Sequence, residues 1–95
     1  MADEEVVRVR AIARGRVQMV GYRAFVQRHA QQLDVRGEVR NLPDGSVECL
    51  MEGPRAAVDR LLELMREGPY HARVEHLEVI REPATTPLPP VMVAQ

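Results

Sequence analysis

Gly15-Arg16-Val17-Gln18-Met19-Val20-Gly21-Tyr22-Arg23 joins an alternating stretch to a helically spaced one. Upstream, Val7, Val9, Ala11 and Ala13 alternate with Arg8 and Arg10, so Val6–Ala13 is predicted to be a half-buried strand. Downstream, Tyr22, Phe25, Val26, Ala30 and Leu33 recur at the spacing of one helix face, which predicts a helix over Tyr22–Leu33. The nonapeptide is therefore a strand-to-helix loop, and it is built unusually. Val20 and Gly21 precede the helix where a Ser, Thr, Asp or Asn would occupy its unpaired N–H groups. Arg23 falls in the first turn, where the helix dipole disfavours a cation by a few tenths of a kcal/mol. Uncapped donors, a glycine that admits close backbone approach and an out-of-place arginine are mutually consistent if an anion binds there. The stretch is predicted to be a phosphate cradle.

Beyond that helix, Val35–Leu42 and Ser46–Glu52 read as two strands joined by the Leu42-Pro43-Asp44-Gly45 turn, with Gly45 as its left-handed closing residue. A second helix opens at Pro54, carries Val58, Leu61, Leu62 and Met65 as its apolar stripe, and closes at Gly68-Pro69. Arg73–Arg81 is a fourth strand in which Val74 stands on opposite parity to Leu77 and Val79, so a bulge is expected between them. Pro83–Pro90 holds four of the seven prolines and should be an extended connector. Val91-Met92-Val93 reads either as a short edge strand or as a frayed end. The order strand, helix, hairpin, helix, strand predicts an α+β ferredoxin-like sandwich: a mostly antiparallel sheet of four to five strands, with two helices on one face. Residues 1–95 are expected to form a single domain, with 83–95 as a proline-rich tail.

Composition narrows the function classes. At 45% hydrophobic and 28% charged, the chain has the balance of a soluble globule. No apolar run approaches the ~20 residues of a membrane span, and the acidic start Met-Ala-Asp-Glu-Glu has no secretory apolar core. A cytoplasmic protein with no membrane partner is expected, and the lone Cys49 leaves no internal disulfide framework. A net charge of −1 argues against a dedicated nucleic-acid binder. The charge is unevenly placed, however: Val6–Leu33 holds six arginines and no acid, which predicts a positive field at one end that steers small anions. Arg8, Arg10 and Arg28 are expected to be merely solvated. A monomer is expected because one small core uses the apolar content.

The second informative constellation is Gly37-Glu38-Val39-Arg40-Asn41, followed by Pro43-Asp44-Gly45-Ser46-Val47-Glu48. With the Gly15–Arg23 loop and the second helix ending at Gly68-Pro69, with Ala72 and Val74 beyond, nearly the whole chain resembles the acylphosphatase family. The resemblance implies hydrolysis of the mixed anhydride between a carboxylic acid and phosphate, with an acyl phosphate as the small-molecule substrate and no metal or other cofactor. It places the phosphate-binding arginine at Arg23 and the water-orienting asparagine at Asn41. Backbone N–H groups of Arg16, Val17, Gln18, Met19, Val20, Gly21 and Tyr22 would meet the phosphate oxygens. The chemistry suits these residue types. A carboxylate leaves readily, so catalysis reduces to holding charged oxygens and aiming a water. Asn41 is no base at neutral pH, but its amide can orient a water through acceptor and donor together. Its parity with Val39 predicts an inward-facing side chain.

Gln18 has two readings, substrate contact or bracing of the loop, and Tyr22 is expected to pack at the base of the helix. His29, His71 and His76 show no zinc spacing. Cys49 alternates with Val47 and Met51 and is expected to be a buried, inert thiol. Asp44 and Glu48 do not form a carboxylate pair suited to acid–base work. Three positions depart from the family pattern. Met19 and Asp34 stand where glycine is usual, and a positive φ at Met19 would cost ~1 kcal/mol or more. The tail lacks the usual aromatic strand. The competing function is a catalytically silent module binding phosphorylated ligands. An RNA-recognition module would need aromatics on the central strands, and Val6–Ala13 and Ser46–Glu52 have none.

Overall fold

The computed structural model describes residues 5–83 and 88–93. Its elements in chain order are β1 (Val6–Arg16), α1 (Tyr22–Gln32), β2 (Arg36–Asn41), β3 (Val47–Pro54), α2 (Arg55–Glu67), β4 (Arg73–Glu82) and β5 (Met92–Val93). The sheet order is β4-β1-β3-β2-β5. β1 lies antiparallel to both β3 and β4, β2 antiparallel to β3, and β5 parallel to β2. Each helix thus crosses over one intervening strand, the double split β-α-β arrangement of a ferredoxin-like sandwich. The five-stranded sheet settles Val91–Val93 in favour of an edge strand.

Alternation along the strands decides the layers. Val7, Val9, Ala11 and Ala13 are buried with Val47, Cys49 and Met51, and the stripes Tyr22, Val26, Ala30 and Val58, Leu61, Met65 close over them. β1 runs longer than its apolar pattern, continuing through Arg14, Gly15 and Arg16, because ladder bonds do not need apolar side chains, whereas β2 is a residue shorter at each end than the expected Val35–Leu42. The expected bulge is present. The β1–β4 register runs Arg14↔His76, then Gly15↔Val74, leaving Glu75 unpaired. Pro54 is the N-cap of α2, one residue ahead of its first turn, and Gly68 closes the helix at φ 69°. Of the Pro83–Pro90 connector, residues 84–87 lie outside the described residues.

Two left-handed residues carry out what the sequence required of them. At the end of α1, Val35 N–H donates to the Ala30 carbonyl (2.9 Å) and Asp34 N–H to that of Gln31 (3.2 Å), with Asp34 at φ 59°. That is a Schellman closure using aspartate where glycine is commoner. In the β2–β3 turn, Gly45 sits at φ 94° and donates to the Leu42 carbonyl at 3.1 Å. Asp44 Oδ1 accepts from both the N–H and the hydroxyl of Ser46, which holds its carboxyl below the ordinary value.

Candidate active site

The loop between β1 and α1 is anchored from within. Val17 is fully buried and Val20 packs against the core, whereas Met19 projects outward, 99% exposed. Met19 takes φ 63°, so the positive φ anticipated there is real and is borne by a side chain that makes it costly. Gly21 caps α1 at φ 80°, with no side-chain cap and no acid in the first turn. The first helical bond runs from Phe25 N–H to the Gly21 carbonyl at 3.0 Å. Among the described residues, the backbone N–H groups of Val17, Gln18, Met19, Val20 and Gly21 donate to no other group. Together with the helix dipole, such a run of open donors is suited to an anion.

Gln18 decides between its two readings. Its side-chain N–H groups donate to the Leu42 and Ser46 carbonyls, both at 2.9 Å. It braces the loop against the β2–β3 turn, one residue beyond Asn41. Loop, first turn of α1 and end of β2 are thereby joined, bringing the elements that carry Arg23 and Asn41 to one end of the sheet. Arg23 is half-buried there. Tyr22 is core: its ring is buried, its hydroxyl donates to the Met65 carbonyl at 2.8 Å, and burial raises its phenol above the usual range. Only its backbone N–H remains for the site. Arg16 is the last residue of β1.

Asn41 corrects one expectation. It shares Val39's parity but is exposed, because it is the final residue of β2, beyond Val39, where the packed core has ended. Its amide makes no hydrogen bond to the described residues, so it is not a self-satisfied turn residue.

A family model for acylphosphatase matches residues 9–88. The chain is 53% identical over 78 residues to an acylphosphatase of Rubrobacter xylanophilus, spanning 82% of this chain and 71% of that one. It is 50% identical over 72 residues to that of Thermus thermophilus, spanning 76% and 82% respectively. The crystal structure of acylphosphatase from Bacillus subtilis superposes with a TM-score of 0.90 at 32% identity, over 94% of this chain and 99% of that one. The chain belongs to the acylphosphatase family. It is a hydrolase of that family on the same ferredoxin-like fold.

Within the chain the arginine-rich segment behaves differently from expectation. Arg8 and Arg10 are not solvated. Arg8 pairs with Glu52 (2.6 Å), and Arg10 bridges Glu48 and Glu82 (both 2.7 Å). Arg14 pairs with Glu78 at 2.9 Å. The acids lie far off in sequence and arrive through β3 and β4, so a count within Val6–Leu33 could not find them. Much of the anticipated field is therefore cancelled along β1. Burial works to raise the Glu48 carboxyl, but hydrogen bonds from Arg10 and Arg40 outweigh it and hold the carboxyl low. Glu48 is a structural acid, as its sequence context suggested. Cys49 is fully buried and its thiol is pushed up to about 12, the inert state expected.

Proposed function

We propose that this site hydrolyses the carboxyl–phosphate bond of acyl phosphates without a metal ion, Arg23 and the loop amides holding the phosphate and Asn41 orienting the water. The observation that carries the reading is the Val17–Gly21 run of open N–H donors, pinned by Gln18 beside the end of β2. A guanidinium fork matches two phosphate oxygens, and backbone donors that need no reorganisation favour the charge spread over them in the transition state. The water oxygen forms a bond to phosphorus as the bond from phosphorus to the acyl oxygen breaks. The electron pair leaves with the carboxylate, and the water's proton passes to a phosphate oxygen. No side chain need serve as acid or base, because the leaving group is already a stable anion.

The test is hydrolysis of benzoyl phosphate in EDTA by wild type and Asn41→Ala. Rapid turnover by wild type, reduced about 100-fold in the variant, is expected for loss of one preorganised group. A folded wild type that binds inorganic phosphate but releases none from benzoyl phosphate would overturn the enzymatic reading and leave a phosphate-binding module. Chain mass in solution, measured by light scattering, checks the accompanying proposal of a monomer.

A further inference from the structure

The sheet does not treat the arginines of β1 alike. Arg8, Arg10 and Arg14 each meet a glutamate across the ladder. Arg16 lies directly opposite Arg73 instead. Neither guanidinium makes an ion pair or hydrogen bond among the described residues. Like charges facing each other across an antiparallel ladder are destabilising.

The bulge creates this pairing. Had the ladder run one for one past Arg14↔His76, Arg16 would face Val74; skipping Glu75 sets it opposite Arg73. Gly15 makes the close approach possible. It sits at φ 129°, and a Cβ there would collide with the Arg73 carbonyl oxygen and the Glu75 nitrogen. Glu75 itself pairs with neither arginine. The repulsive pair therefore stands where β1 ends, Arg16 being bonded directly to Val17, the first residue of the cradle loop. Bulges commonly re-aim side chains beside functional sites.

We propose that Arg16 and Arg73 form a second anion subsite, selecting acyl phosphates whose acyl portion carries a further carboxylate or phosphate. This rests on the acyl phosphate reading of the cradle. Both guanidiniums are forks that accept either anion, and a bound counter-charge relieves their mutual repulsion. Because both residues are exposed, the gain is the modest one of a surface ion pair, roughly fivefold in affinity.

The experiment measures Kd for three non-hydrolysable probes, benzylphosphonate and its 4-carboxy and 4-phosphono derivatives, on wild type, Arg73→Gln and Arg73→Lys. Wild type should favour the doubly charged probes over benzylphosphonate, and Arg73→Gln should lower that preference about fivefold. Arg73→Lys should restore part of it, and high salt should erase it. The probe that loses more identifies the preferred anion. A preference absent from wild type, or unchanged in Arg73→Gln, overturns the subsite. Failure of the acyl phosphate reading appears separately, as absence of benzoyl phosphate hydrolysis.

Discussion

Arg23 and Asn41 are assigned different parts of the same event, and substitution should separate them. Arg23→Ala is expected to weaken binding of inorganic phosphate and to lower kcat/KM with it, because a guanidinium meets the phosphate before and during the reaction. Asn41→Ala should leave phosphate affinity within about twofold while kcat falls about 100-fold. Isothermal titration with phosphate beside steady-state kinetics checks both, and equal phosphate affinity in wild type and Arg23→Ala would remove the arginine from the cradle. Met19 poses a question of strain. At φ 63° and with its side chain wholly in solvent, it gains no packing to offset the left-handed cost. Met19→Gly should therefore raise stability by up to about 1 kcal/mol, the strain relieved being partly cancelled by the freer unfolded chain. Urea titration of both proteins measures it, and a clear loss of stability would show that the methionine is held by something other than its backbone.

Between elements, the two hydrogen bonds of Gln18 join the cradle loop to the hairpin. In Gln18→Ala the Leu42 and Ser46 carbonyls each keep a backbone partner, the N–H of Gly45 and of Leu42, so the stability loss should stay near 1 kcal/mol. The larger effect is expected on kcat, through misplacement of loop donors relative to Asn41. A Gln18→Ala enzyme with wild-type kcat would mean that the loop holds its shape alone, through Val17 and Val20. Cys49 tests the sheet-to-helix packing in another way. Buried between Val47 and Met51, with its thiol pushed up to about 12, it should resist iodoacetamide at pH 8 in the native protein and react once urea unfolds the chain.

For the whole molecule, charge is balanced by topology rather than locally. Glu48 has a depressed carboxyl pKa in the folded state. Its contribution is therefore present above the ordinary glutamate range and is lost as the pH falls through the lowered value. Glu48→Gln should destabilise the protein by about 1–3 kcal/mol at pH 7, as for loss of hydrogen bonds to charged groups. It should also shrink the stability difference between pH 7 and pH 3, which thermal melts at the two pH values would reveal. An unchanged pH difference would place the acid sensitivity elsewhere. Periodicity and turn chemistry determined by themselves the element order, the helix stripes, the Gly45 turn and the Glu75 bulge region, because these depend on residues within a few places of each other; the left-handed Met19 and Asp34 were signalled by the family resemblance. The uncapped Gly21 and the misplaced Arg23 were legible for the same reason. Only the tertiary structure decided which carboxylates meet Arg8, Arg10 and Arg14, that Gln18 reaches across to the hairpin, that Asn41 emerges at a strand end, and that Arg16 meets Arg73. Those facts turn on register between strands tens of residues apart. A single skipped residue reassigns every partner beyond it, and the parity break that marks the skip in β4 does not say which strand lies opposite.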